Sequence, residues 1–295
     1  RPPRPSGLRE PRGARRETEE ADALLPDALG QLLREQARSL GVSAASLFHL
    51  AWAQVLGRVS GRDDVVFGTV LLGRLQAGEG ADRALGMFIN TLPLRVRLAG
   101  LTVREAIKET QQQLSALLAH EQASLALAQR CSGVTPLFNS LLNYRHASAE
   151  ELQELLPGIE LLSSEDILSY PLMLTVDDLV IGFRLKAKAP RKVGAQRLLD
   201  YLGTVLTGLV ETPEAPLFEV QVLPATELQQ QLVAFNASET DYPVDLTVHA
   251  LFEAHARHTP HAVAVQAGEQ QLTYRQLNER ANRLAYHLRE RGVQP

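Results

Sequence analysis

Cysteine is almost absent: Cys131 is the single one in 295 residues, which excludes an internal disulfide and any cysteine-based zinc site. A reducing cytoplasm is the compartment this composition favours. Lysine is nearly as scarce. Only Lys108, Lys186, Lys188 and Lys192 appear among 30 basic residues, the rest being arginine. With the abundance of alanine and leucine, that bias points to a high-GC bacterial genome. No run of about 18 apolar residues exists, and no apolar signal segment follows the N-terminus, so no membrane is expected as a partner. The net charge of −4 gives no basic field for nucleic acid. Gly78-Glu79-Gly80 is followed by Arg83, and no Gly-Lys-Ser/Thr occurs, so neither glycine-rich phosphate fingerprint is present. Gly-x-Ser-x-Gly is missing as well. His255, His258 and His261 recur every third residue, but Pro260 breaks the helix that would gather them around a metal. A general search for catalytic machinery therefore returns nothing.

What is present is a globular composition, with 45% hydrophobic and 22% charged residues. Residues 1–20 are rich in proline, arginine and glutamate and read as a disordered or linker-like arm. From Pro26 the apolar spacing turns helical and stops at Gly41; Ser43 is then expected to cap a more apolar helix ending near Gly61. Val65 to Leu72 and Phe88 to Val96 read as strands flanking a Gly-rich loop at 73–86, and Pro93 places the second at a sheet edge or bulge. Thr102 and Glu105 form a capping box for a helix to about His120. A short helix at Leu125 to Gln129 and a strand at Phe138 to Arg145 follow. Tyr170 to Val176 and Leu179 to Lys186 read as a hairpin turning at Asp177-Asp178. Val193 to Val210 is a long amphipathic helix with Leu198, Leu199, Leu202, Val205, Leu206 and Leu209 on its apolar side. Strands and helices do not alternate regularly, so the fold class is α+β, a mixed sheet covered by helices.

Pro213, Pro216, Pro224 and a polar run from Asn236 to Pro243 mark a change of character over 211–245, with a linker at 223–246 between a domain at 21–222 and a new unit at 247–295. That last unit, with one hairpin and two helices, is too small for a core of its own. The chain begins at Arg1 and stops at Pro295 just after a helical stretch, and is expected to be a piece of something longer.

Gly86-Met87-Phe88-Ile89-Asn90-Thr91-Leu92-Pro93-Leu94-Arg95 resembles the glycine-x-phenylalanine-valine-asparagine-threonine motif of nonribosomal peptide synthetase condensation domains. Asp63-Asp64-Val65-Val66-Phe67-Gly68-Thr69 with Gly73-Arg74, and the helix Ser46 to Trp52, resemble the segments preceding that motif. His120 to Leu125 and Arg130 to Leu137 depart from two later motifs of the family. With Leu141-Leu142-Asn143-Tyr144-Arg145-His146 they resemble the subgroup that couples epimerisation to condensation. Leu272-Thr273-Tyr274-Arg275-Gln276-Leu277 resembles the first core motif of adenylation domains.

The resemblance implies a chloramphenicol-acetyltransferase-like C-terminal lobe, a linker, and an incomplete adenylation-domain N-terminus. It implies carrier domains as partners, whose phosphopantetheine arms carry the thioester substrates, with no cofactor bound directly. The missing condensation N-lobe and the adenylation remainder would be the other partners. The family's His-His-x-x-x-Asp-Gly motif, whose second histidine serves the attacking amine, has no counterpart here, so no residue of this chain is expected to be catalytic. Asn90, Thr91, Tyr144 and His146 are the expected substrate-tunnel residues, and Leu272, Thr273 and Tyr274 a structural adenylation motif. Asn90 has a second reading, in which its amide satisfies a strand backbone. Arg95 is expected in an ion pair, and Trp52, Phe88 and Leu92 in the core. Two other roles stay open: a non-catalytic docking module, or the remnant of a coenzyme A-dependent acyltransferase.

Overall fold

In a computed structural model, residues 18–73, 86, 88–146, 170–180, 182–241 and 245–294 are described. The chain divides into two units, 1–231 and 232–295.

Local sequence builds the helices of the first unit. Asp27–Leu40 (α1) and Ala44–Ser60 (α2) stop at left-handed glycines, Gly41 and Gly61. Ser43 stands at the start of α2 without capping it; its N–H and hydroxyl both donate to Gln111 Oε1, each at 2.8 Å. That bond ties α2 to Val103–Leu118 (α3), where Thr102 and Glu105 form the expected capping box. Ser124 caps Leu125–Ser132 (α4). Ala195–Glu211 (α5) buries all six apolar residues named for it. Ala225–Leu232 (α6) follows it.

Among the described residues, six strands form one sheet: Thr18–Leu24 (β1), Asp64–Leu71 (β2), Asn90–Arg97 (β3), Ser140–Arg145 (β4), Leu172–Leu179 (β5) and Gly182–Pro190 (β6), in the order β1-β6-β5-β4-β2-β3. β2, β4 and β5 are parallel neighbours, while β1, β3 and β6 pair antiparallel at the flanks. The parallel strands are the apolar ones, as burial on both faces requires. Val65 and Phe67 of β2 join α1, α2, α3 and α5 in the main core; Val66 faces the other way, into a small cluster with Leu137, Phe138 and α4. α2 is buried without interruption from Ser46 to Gly57, so it is the central helix of the unit. Among the described residues no single helix is long and apolar enough to cross a membrane.

Gly68 lets Phe138 lie against the sheet. A Cβ there would sit 2.4 Å from Phe138 Cε2 and 2.9 Å from Leu141 Cδ1. Gly68→Ala is expected to lower unfolding free energy by about 1–3 kcal/mol, measured by urea denaturation, because a buried ring must move.

Besides the Ser43 cap, which does not form, two expectations are corrected. The arm at 1–20 does not run unstructured to its end: residues 1–17 lie outside the described set, but Thr18, Glu19 and Glu20 open β1. β1 pairs along its length with β6, and Glu19 Oε1 accepts from Ala195 N at 2.7 Å, capping α5. The hairpin turn is also displaced. Asp177 and Asp178 belong to β5, and the chain reverses between Leu179 and Gly182. Pro93 does sit in an edge strand, β3, as expected. Most of the Gly-rich stretch 73–86 lies outside the described residues.

In the second unit, Val248–His258 (α7), Val263–Ala267 (β7), Gln270–Thr273 (β8) and Tyr274–Glu290 (α8) form two helices and a hairpin. Among its described residues only Ala256 is buried, in keeping with a segment too short for its own core.

Candidate functional site

β4 runs parallel to β2 with Leu142 beside Thr69, and β3 starts where β2 ends, with Asn90 opposite Leu71. Asn90, Thr91, Tyr144 and His146 therefore come to one end of the sheet, the carboxyl end of its parallel strands. They form two groups there, one on each side of β2.

On the β3 side, Asn90 Nδ2 donates to Glu121 O at 2.8 Å and to Ala123 O at 2.7 Å, and its Oδ1 accepts from Thr91 N at 2.9 Å. The carboxamide thus satisfies backbone, the second of the two roles open to it from sequence. Gln122 Nε2, from the same turn, donates to Gly73 O at 2.6 Å.

On the other side, Asp178 gathers a cluster that local sequence reading missed. Arg34 Nη2 donates to Asp178 Oδ1 at 2.7 Å, and the Tyr144 hydroxyl donates to Oδ2 at 2.7 Å. His146 Nδ1 lies 3.4 Å from that same oxygen and its ring meets Tyr144 edge-on at 5.1 Å. Arg34 also donates to Leu179 O, and its guanidinium lies over the Phe183 ring, 4.4 Å from the centroid. Burial, and then the bond to Asp178, raise the Tyr144 pKa far above the usual phenol value, so Tyr144 is a donor and not a base. His146 is the open member, with 78% of its side chain exposed. Asp178→Ala would leave Arg34 and Tyr144 without this acceptor; a loss of about 2 kcal/mol is expected by denaturant titration. Asp178→Asn keeps an acceptor for Tyr144 and should lose less.

Arg95, Trp52 and Leu92 are placed as anticipated, whereas Phe88, expected in the core, is only half-buried. Arg95 pairs with Asp64 at 2.6 Å, which holds the Asp64 carboxyl below its usual pKa. Trp52 and Leu92 are buried. Leu272 pairs with Val265, Thr273 forms a capping box with Gln276 at the start of α8, and the Tyr274 ring stacks on His255 at 5.6 Å. A groove of about 610 Å³, lined by Gln54, Arg58, Arg62 and Phe218 among others, opens at the opposite end of α2 and includes none of the candidate residues.

The mixed sheet and its covering helices make an α+β lobe with the motif asparagine at one end of the sheet. Residues 4–233 match the family model for the condensation domain, and residues 252–295 match that of AMP-binding enzymes. The chain belongs to the condensation domain family, followed by the start of an AMP-binding enzyme. It is 44% identical over 284 residues to malpibaldin synthetase of Mortierella alpina, covering 94% of this chain and 5% of that one. Tyrocidine synthase 3 of Brevibacillus parabrevis is 31% identical over 282 residues, covering 91% and 4%. A four-domain nonribosomal peptide synthetase solved bound to AMP and glycine aligns with a TM-score of 0.72 at 19% identity, covering 94% of this chain and 23% of that one. The chain thus spans only a small fraction of its relatives' length, and at that identity the structural likeness establishes the fold alone.

Proposed function

We propose that the chain supplies the C-terminal lobe of a condensation domain in a nonribosomal peptide synthetase, with the linker and first residues of the adenylation domain behind it. The lobe runs from Thr18 to about residue 222, the linker to 246, and the adenylation start from 247 to 295. What carries the reading is the condensation match over 4–233. The reaction joins two thioesters borne on the phosphopantetheine arms of carrier domains. The acceptor amine attacks the donor carbonyl, a C–N bond forms, the C–S bond breaks, and the donor arm leaves as a thiol. The proton lost by the amine is relayed to the departing sulfur through groups of the N-terminal lobe, whose histidine motif this chain does not contain. This lobe's share is to wall the tunnel at the sheet end carrying Asn90, Thr91, Tyr144 and His146. Tyr144 gives rigidity through Asp178, and His146 offers an open imidazole. A cytoplasmic setting and a bacterial source are proposed from composition; the relatives cited include a fungus and a bacterium.

The test is a module in which this chain follows a lobe bearing His-His-x-x-x-Asp-Gly, offered aminoacyl thioesters on two carrier domains. A carrier-bound dipeptide by mass spectrometry is expected from the module, and none from the 295-residue chain alone. Peptide made by the chain alone, or none from a module with loaded carriers, overturns the proposal.

A further inference from the structure

Among the described residues β3 is the edge of the sheet, and a sheet edge presents unpaired backbone groups. Leu98 N donates inward to Asp63 O, so by alternation Thr91, Pro93 and Arg95 turn their backbone groups to the open side. Pro93 has no N–H to present. The Thr91 N–H is taken by Asn90 Oδ1, while both Asn90 N–H groups go to the carbonyls of Glu121 and Ala123. The Asn90 carboxamide therefore acts as a peptide group of an absent neighbouring strand would. It accepts from β3 and donates to the turn joining α3 to α4. Gln122, at the tip of that turn, donates to Gly73 O, just past the exit of β2. The turn is thus fastened both to Gly73, two residues past β2, and to Asn90, the first residue of β3, which flank the 74–89 segment. Its far end is Ser124, which caps α4 and so sets where α4 lies over Val66 and Phe138.

We propose that Asn90 is a positioning residue, not a substrate contact. With Gln122 it clamps the 121–123 turn across the mouth between β2 and β3, fixing that part of the tunnel wall. This rests on the condensation reading above. Both amide protons of Asn90 are committed, and none remains to donate to a thioester carbonyl or its oxyanion. A substrate-binding role would require one of two short bonds to break on each turnover. The clamp instead holds its geometry before the substrate arrives.

The test has two arms. In the full chain, amide hydrogen exchange is measured for wild type, Asn90→Asp, Asn90→Ala and Gln122→Ala. Asn90→Asp keeps an acceptor for Thr91 N–H but loses both donors to the carbonyls of the turn. The Glu121 and Ala123 N–H groups bond to Leu118 O and His120 O within the turn, so a turn freed from Asn90 should open more often and exchange them about tenfold faster or more, while Thr91 stays protected. Asn90→Ala should release all three, and Gln122→Ala should release Glu121 and Ala123 alone. In the module described above, peptide formation should fall about tenfold with Asn90→Asp, and Gln122→Ala added to it should slow the reaction little further. Unchanged exchange at Glu121 and Ala123 in Asn90→Asp, or rate losses that multiply in the double variant, would overturn the clamp and return Asn90 to the substrate. A wild-type module that makes no peptide overturns the functional reading instead, and the exchange pattern still decides the clamp.

Discussion

Trp52→Ala is expected to cost about 3–5 kcal/mol of stability, the largest single-substitution loss expected for this chain. Trp52 is fully buried at the middle of α2, the helix buried on every side between Ser46 and Gly57. Its side chain is the largest of the fully buried ones. No backbone movement of a central helix can refill that volume, because the sheet on one side and neighbouring helices on the other are themselves close-packed. Among the described residues the Trp52 indole N–H also has no hydrogen-bond partner. Such a group costs roughly 1–3 kcal/mol, so packing alone must hold the residue in place. Trp52→Phe therefore makes a sharp contrast. It removes the unpartnered N–H along with part of the volume, the two effects oppose, and the net change should be small beside that of Trp52→Ala. Equal losses for both, in guanidinium titrations, would show that the polar atom is immaterial.

Between pH 6.5 and 4, acid should weaken the fold through His49. His49, in α2, is 3% exposed; its Nδ1 lies 2.6 Å from Ala45 O and its Nε2 2.7 Å from Thr69 Oγ1. A carbonyl can only accept, so Nδ1 carries the proton and the Thr69 hydroxyl donates to Nε2. Burial is the main cause that lowers the His49 pKa from 6.5 to about 4, with the Ala45 bond pulling weakly the other way. The unfolded chain thus takes up a proton between pH 6.5 and 4 that the folded chain refuses. The contribution is fully present above pH 6.5 and lost as pH falls towards 4, amounting to about 3 kcal/mol. His49→Gln has no proton to gain. Its stability should be lower at neutral pH, but flatter across that window than wild type. Parallel pH profiles for the two proteins would rule out His49 as the source of acid sensitivity.

The helices were legible because each carries its own start and stop: Thr102 with Glu105, Gly41, Gly61, and the leucine spacing of α5. Pro93 announced an edge strand because a proline cannot serve an interior ladder. β1 was not legible. Thr18 to Leu24 exposes its alternate residues and puts Glu19 and two alanines on the other side, too little apolar surface to mark a strand. Its pairing with β6, more than 150 residues away, makes it one. Asp177-Asp178 misled for a related reason. Two adjacent aspartates favour a turn, but here Arg145 pairs with one at 2.6 Å and Arg34 with the other at 2.7 Å. Arg34 lies 144 residues from its partner, beyond the reach of any local pattern. The candidate site divides in the same way. Its asparagine was found by motif, whereas Asp178, Arg34 and Gln122, which hold the site residues in place, act through contacts that only the fold creates.

The central claim, that this is the second lobe of a condensation domain leading into an adenylation domain, is tested most directly by sequencing the gene on both sides of the codons for Arg1 and Pro295. The account predicts an in-frame His-His-x-x-x-Asp-Gly upstream and, downstream, the phosphate-binding loop and catalytic lysine of an adenylation domain. A stop codon or unrelated sequence upstream would contradict it, leaving a lobe with no catalytic histidine to serve.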